Sequence, residues 1–324
     1  MRSIKQKKNL ILGVVILLLV LVVIYSGFRI IQPTVFLPED ETSTKTIERN
    51  GKKYFPKQDI TTFLVLGIDQ EGPVKDSGSY NNDGENDVVM LAIFDETEKT
   101  YSVIALNRDT MLEIPTIGLG GKPADKIYGQ LALSHTYGSG LKDSCELTKK
   151  TVSDFLYGVE IDYYISLNMD AIGILNDAVG GVTVNVTDDF SAIDPTITKG
   201  KITLNAEQAL EFVRTRKDVG DQMNVSRMSR HEEYIKGFLS ALDKKLDNNS
   251  SFAIDVYESI SDYAVTDCSV NALATLVSRL SDYEFREIVT PEGENVKGES
   301  YMEFHVDEEK LDELIIRTLY DEKQ

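Results

Sequence analysis

Five basic residues fall within seventeen positions: Arg214, Arg216, Lys217, Arg227 and Arg230, opposed only by Asp218 and Asp221. Four of them are arginines, whose planar guanidinium fork matches a phosphate or a carboxylate bidentately. Arg214 and Arg216 are two apart, so on a regular helix they point to nearly opposite sides. For both to face one ligand, a helix beginning at Ala206 must end near Val213. Arg227 and Arg230, three apart, share a face of the next helix. Two converging pairs would clamp a doubly charged anion. A solvated basic face pairing with the many carboxylates of this chain is the alternative, and charge alone fits either equally well.

A second group sits at expected strand ends. The apolar run over 64–68 terminates in Asp69, Asp87 opens the next run, and Asn107-Arg108-Asp109-Thr110 closes a third. If these strands are neighbours, Asp69, Asp87, Arg108 and Asp109 gather at one edge. Carboxylates beside arginines and a phosphate suit a hard divalent cation, because Mg²⁺ takes oxygen ligands and keeps several waters. An aspartate at a strand end also commonly caps a loop; for Asp109 that reading, or a supporting role, is preferred. Asp83-Gly84 lacks the ligand spacing of a calcium loop and reads as a turn. His135, His231 and His305 are isolated, which argues against zinc. There is no P-loop, no G-x-S-x-G elbow and no dinucleotide fingerprint.

Periodicity places these residues on elements. Strands are expected over 62–68, 88–94 and 101–106, the last two forming an antiparallel hairpin through the polar turn 95–100. Further strands read over 163–167 and 182–186. Helices read over 142–157, over 170–178 with a stop at Gly180-Gly181, and over 206–213, where Asn205 and Gln208 have capping-box spacing. A long amphipathic helix follows over 227–246. The last 80 residues predict helices near 251–261, 269–280 and 307–319, with a strand pair near 287–289 and 300–305. Asn50-Gly51 is a two-residue hairpin turn joining 46–48 to 53–55. The sum is an α/β fold: a single domain with a mixed β-sheet flanked by helices, preceded by one transmembrane helix.

Residues 9–28 carry no charge and are almost all Leu, Ile and Val. Twenty residues at helical rise span about 30 Å, the hydrocarbon thickness of a bilayer. Arg2, Lys5, Lys7 and Lys8 precede the run, whereas Glu39, Asp40 and Glu41 follow a single Arg29, so the positive-inside rule leaves 1–8 as a cytoplasmic tail and the rest outside. Ile24-Tyr25-Ser26 lacks the small residue wanted for signal cleavage, which favours an uncleaved anchor. The expected organisation is tail 1–8, anchor 9–28, stalk and hairpin 29–57, and a catalytic domain 58–324. A formal charge of −19 argues against a nucleic-acid binder. The two cysteines, Cys145 and Cys268, read as small buried thiols in preference to a disulfide.

Taken in order, the motifs resemble the LytR–CpsA–Psr family. They are Leu66-Gly67-Ile68-Asp69, Asn86-Asp87, Asn107-Arg108-Asp109-Thr110, Asp125-Lys126-Ile127, Asp162-Tyr163-Tyr164 and Val179-Gly180-Gly181-Val182. Leu204-Asn205-Ala206-Glu207-Gln208-Ala209-Leu210 then runs into Val213-Arg214-Thr215-Arg216-Lys217, with Arg227 and Arg230 at the family's spacing. The resemblance covers about 60–240, leaving 245–324 as a C-terminal extension. It implies a cell-envelope phosphotransferase that moves a teichoic acid, capsular or related glycopolymer from a polyprenyl pyrophosphate carrier to peptidoglycan. Such a domain encloses the lipid tail and uses Mg²⁺, with Mn²⁺ a replacement. By position, Asp69 and Asp87 resemble the metal-associated aspartates. Arg108, Arg214, Arg216, Arg227 and Arg230 resemble the pyrophosphate-binding arginines, with Lys126 a further candidate. Catalytic roles fall on Asp69, Asp87 and Arg108.

The chain departs from the family in three places. Glu85 stands where many members have arginine, a polar insertion fills 70–86, and His231 follows the last arginine in place of glutamine or a similar residue. Two other activities compete: a pyrophosphatase using water as acceptor, and a non-catalytic module that binds the lipid carrier. A transcriptional regulator is disfavoured by the acidic charge and the absence of a helix-turn-helix signal.

Overall fold

The computed structural model describes residues 46–118, 120–215, 217–220, 224–246, 259–268 and 283–322, with residues 252 and 256. The expected tail, anchor and first part of the stalk lie outside the described residues, as do Arg216 and the helix expected over 269–280.

The apolar runs become the centre of a six-stranded mixed sheet. β1 (Ile47–Arg49) and β2 (Lys52–Pro56) precede it, joined through Asn50 and Gly51, both at positive φ as a type I′ hairpin demands. β3 (Ile60–Ile68), β4 (Asn86–Asp95) and β5 (Thr100–Leu106) then pair antiparallel in succession. Beyond β5 the chain makes a hairpin of β6 (Met111–Ile117) and β7 (Pro123–Gln130), which the sequence reading left without strands, followed by α1 (Lys142–Phe155). β8 (Tyr163–Asn168) joins β3 in parallel. Asp162 secures that junction, its carboxylate accepting from the backbone N–H and hydroxyl of Thr62 at 2.8 and 2.9 Å.

α2 (Asp170–Ala178) stops at Gly180-Gly181, whose φ of 84° and 92° suits only glycine. β9 (Val182–Val186) and β10 (Gly200–Leu204) form a ribbon leading to α3 (Ala206–Arg214). Asn205 and Gln208 make the reciprocal capping box that their spacing predicts. α4 (Asn224–Leu246) follows, then β11 (Ala264–Thr266), antiparallel to β8.

One expectation is overturned after that. Residues 287–289 and 300–305 do not pair with each other. β12 (Glu284–Val289) adds to the sheet edge in parallel with β5, while β13 (Gly293–Lys297) pairs with β14 (Met302–Val306). Two features cause this. Tyr283 and Phe285 pack on the aromatic pair Phe94–Tyr101, holding β12 to the sheet. Gly293 brings its backbone against that of His305, so close that a Cβ there would stand 2.3 Å from the carbonyl oxygen. α5 (Glu308–Leu319), capped by Asp307, and β15 (Tyr320–Glu322) complete the chain, β15 pairing with β2.

The sheet order is β11-β8-β3-β4-β5-β12. Successive side chains face opposite sides. Leu64, Leu66, Leu91 and Ile93 pack under α1 and α5, whose Val152 and Ile315 are buried with them. Phe63, Ala92, Phe94 and Ile165 face the other way, towards Ala171 of α2. A third cluster joins the β9–β10 ribbon to α3 and α4. This second face carries the site.

Candidate active site

Because β3, β4 and β5 are adjacent, Ile68 pairs with Asn86 and Val89 with Leu106, which brings the C-terminal ends of β3 and β5 beside the start of β4. Asp87 lies there, 9% exposed, between two guanidiniums. Arg108 donates from one Nη to an Asp87 oxygen, and Arg227, 4% exposed on α4, donates to the other at 3.0 Å. The second Nη of Arg108 binds Glu85. Asp109 is buried nearby, where its carboxylate accepts from Gln130 at 3.0 Å and its carbonyl from the Phe304 N–H at 2.8 Å. It supports the turn.

Arg214 is the last residue of α3, and Thr215 beyond it is extended, with ψ 130°. Its fork holds Asp69 at 3.2 Å and Glu71 at 3.0 Å. The helix end is kept in place from α4. Arg230 donates from Nε to the Phe212 carbonyl at 2.9 Å, from one Nη to the Thr215 carbonyl, and from the other to Asp188 at 2.7 Å. Nε2 of His231 donates to the Val213 carbonyl at 2.8 Å. Burial, reinforced by neighbouring Arg227, pushes that imidazole down to about 3, so it is a neutral donor at physiological pH. Together these groups satisfy carbonyls that a helix C-terminus leaves without partners.

The sequence-predicted residues therefore divide. Asp87, Arg108 and Arg227 form one cluster, and Asp69 with Arg214 stands beside the same cavity. Arg230 shares the helix of Arg227 but fastens α3. Lys126 lies apart on β7, its ammonium 3.6 Å from Asp154 of α1. Glu71, Glu85 and Asp188 were not anticipated as partners, because each reaches its arginine from 23 or more positions away and carries no motif of its own. The 70–86 segment is folded onto the strand ends. Asn82 donates to the carbonyls of His135 and Gly138 at 2.9 Å each, and the Asp69 N–H reaches the Glu85 carbonyl at 2.9 Å.

From this cluster an apolar cavity of about 210 Å³ runs between the sheet and helices α2 and α4. Asp87, Arg214 and His231 contribute to its wall, along with Val65, Met90, Val103, Leu167, Leu175 and Phe238. By register the wall extends from Val88 to Ala92 along β4, about 13 Å at strand rise. A ligand filling it has an apolar body and an anionic head.

The donor set bears on a metal. Among the described residues no group of three or more His, Cys, Asp or Glu side chains is arranged to hold an ion. Asp69 and Asp87 each already face a guanidinium, so a cation there would have to draw most of its ligands from phosphate oxygens and water, as Mg²⁺ does.

Replacing Arg230 by alanine is expected to destabilise the protein by about 3–5 kcal/mol, since Asp188 loses its partner and two carbonyls lose donors. Denaturant unfolding measures it. A loss under 1 kcal/mol would mean that α3 does not depend on this contact.

The sequence model of the LytR_cpsA_psr family matches residues 35–318. The polyisoprenyl-teichoic acid–peptidoglycan teichoic acid transferase TagU of Bacillus subtilis (strain 168) is 27% identical over 240 residues, covering 73% of this chain and 71% of its own. Among solved structures, TagT bound to LIIa-WTA superposes with a TM-score of 0.59 at 23% identity, covering 81% of this chain and 90% of that one. B. subtilis TagV does so with 0.60 at 20% identity, covering 81% and 96%. At those identities the two structures speak for the mixed α/β fold.

Proposed function

Since the chain belongs to the LytR–CpsA–Psr family, we propose that it is an extracytoplasmic phosphotransferase, moving a teichoic acid, capsular or related glycopolymer from a polyprenyl pyrophosphate carrier to peptidoglycan. The observation that carries this reading is the junction of an apolar cavity with an arginine cluster. A prenyl tail takes the first and a pyrophosphate the second. The relative TagU is named for teichoic acid transfer to peptidoglycan, and TagT has been solved with a WTA ligand. An anchor over 9–28 would confine the domain to the membrane surface where the carrier lies.

In the reaction, the acceptor hydroxyl oxygen forms a bond to the phosphorus that bears the glycan. The bond from that phosphorus to the bridging oxygen breaks, and polyprenyl phosphate leaves with the electron pair. The hydroxyl proton passes to a carboxylate and then to solvent, Asp69 being our choice of acceptor. Arg108, Arg214 and Arg227 neutralise the head and the charge that shifts onto the leaving phosphate, each charge-assisted hydrogen bond contributing about 1.5–3 kcal/mol. Without substrate, Glu85 and Glu71 occupy two of these forks. Their side chains are 41% and 72% exposed, so a pyrophosphate displaces them at a cost of about 1 kcal/mol or less each. Asp87 keeps Arg108 and Arg227 aligned throughout. Asp69 and Asp87 are the residues that would hold Mg²⁺ or Mn²⁺, whose contribution when bound is to screen the two phosphates from the incoming oxygen.

The test follows release of polyprenyl phosphate from a short synthetic carrier, with and without a muroglycan acceptor, across Mg²⁺ concentrations and with chelator. Release is expected only with acceptor and cation together. Product without acceptor would identify a pyrophosphatase, and no product in any lane a binding module.

A further inference from the structure

Behind the strand ends lies a buried polar network that the reaction above does not use. Glu85 and Asp87 flank the first residue of β4 and both reach Arg108, while Asn86 between them faces the interior. Asn86, wholly buried, donates to the hydroxyls of Ser134 and Thr148 at 3.0 and 3.2 Å. His135, 1% exposed, donates from Nδ1 to the Gly84 carbonyl at 2.9 Å. The Gly84 N–H donates to Oδ1 of Asn82 at 2.7 Å, and a Cβ at Gly84 would stand 2.8 Å from that same oxygen. Asn82, already tied to the carbonyls of His135 and Gly138, also donates to the Ser144 hydroxyl at 3.2 Å. The turn that carries His135, Leu131–His135, holds the other strand end as well. Its Leu131 and Ala132 N–H groups donate to the carbonyls of Thr110 and Arg108 at 2.8 and 2.9 Å. One turn therefore fixes Arg108 through its backbone and the carboxylate partners of Arg108 through its histidine.

We propose that His135 and Asn82 are positioning residues of the phosphate site: they keep the backbone from Gly84 to Asp87 fixed against Arg108 while the Glu85 side chain gives up its fork to the pyrophosphate. The role rests on the transferase reading above. The observation that carries it is the cost of His135 to the core. Its Nε2 is enclosed and has no hydrogen-bond partner among the described residues. Burial pushes the imidazole down to about 4, so the ring is neutral. An apolar side chain of that size would spare the fold an unsatisfied nitrogen. What the ring supplies in return is one hydrogen bond, to the carbonyl next to Glu85. Glu85 has to move and Asp87 has to stay, although only Asn86 separates them. A segment held at Gly84 and again at Asn86 lets Glu85 turn about its own side-chain bonds without carrying Asp87 along. Asn82 belongs to the 70–86 insertion, which thereby contributes to the framework of the site.

The test compares His135→Asn, whose amide donates from the place of Nδ1, with His135→Leu, which fills the space and donates nothing. In the transfer assay His135→Leu is expected to lower kcat about tenfold, the size of one neutral hydrogen bond. The carrier's Michaelis constant should stay within about twofold of wild type, and His135→Asn should recover most of the loss. Asn82→Ala, which leaves the ring in place, should show the same split. Thr151→Val is the control for core substitution, a buried change on α1 whose hydroxyl donates to the Leu147 carbonyl at 2.7 Å, and it should keep wild-type kcat. In parallel, nitrogen NMR of the full chain in detergent micelles follows the Arg108 Nε–H, an atom closed to solvent and assigned by its loss in Arg108→Lys. With inorganic pyrophosphate bound, that proton should exchange slowly in wild type and His135→Asn, and faster in His135→Leu and Asn82→Ala. Wild-type kcat and exchange in both His135→Leu and Asn82→Ala would overturn the assignment. So would equal impairment of His135→Asn and His135→Leu, or a change confined to the Michaelis constant. A wild type that releases no product, but whose Arg108 signal responds to His135→Leu and recovers in His135→Asn, would leave the positioning role standing and remove the transferase reading instead.

Discussion

Asp87→Asn is expected to lower transfer by at least about a hundredfold while leaving carrier binding intact or tighter. Asp87 holds Arg108 through one carboxylate oxygen and Arg227 through the other. Asparagine keeps the shape but presents one acceptor oxygen and one N–H, so one guanidinium loses its partner and swings from the line of attack. If the displaced guanidinium forfeits two charge-assisted hydrogen bonds to the phosphates, at about 1.5–3 kcal/mol each, the loss corresponds to a factor of roughly 10² or more. Removing a negative charge from between the arginines favours the pyrophosphate in the ground state. The same change breaks an ion pair whose members are 4% and 9% exposed, and loss of one partner of a buried pair typically costs about 3–5 kcal/mol. The free variant should therefore melt lower, and inorganic pyrophosphate should restore more of the melting temperature than it adds to the wild type. Turnover within a fewfold of wild type, or no added protection by pyrophosphate, would show that Asp87 does not organise the site.

Val65→Phe tests the other half of the substrate. Val65 lines the apolar cavity from β3, and a phenyl ring there narrows the roughly 210 Å³ available. A carrier with a long prenyl tail should bind at least about tenfold more weakly, because the apolar area that drives its burial, at about 25 cal/mol per Å², is no longer accessible. Inhibition by inorganic pyrophosphate, which needs only the arginines, should not move. Filling an existing void need not destabilise, so the melting temperature should stay within a few degrees of wild type. An unchanged affinity for the long-tailed carrier would place the tail elsewhere.

Each of these expectations mixes what neighbours along the chain specify with what only folding assembles. The capping box of Asn205 and Gln208, the positive-φ turn at Asn50-Gly51 and the central strands over 60–68, 86–95 and 100–106 are local matters. Their signals lie within a few residues: a side chain reaching its own backbone, glycine's freedom at φ 74°, alternation of apolar residues. The termination of α3 at Arg214 followed likewise, from two arginines that cannot share a ligand on an unbroken helix.

The partnerships of the site had no such local signal. Arg227 meets Asp87 across 140 positions and Arg214 meets Glu71 across 143, and nothing near either residue specifies the match. Arg227 and Arg230 look equivalent by helical spacing, yet one turns to Asp87 and the other to the end of α3, because the two sit one turn apart against different neighbours. β12 was misplaced for the same reason: its partner is decided by Phe94 and Tyr101, far away in the chain. The ordered motifs determined the family, since each is read from residue types and spacing alone. Which arginines meet Asp87 and where the apolar cavity opens were decided by the tertiary structure, which brings distant residues within reach of one another.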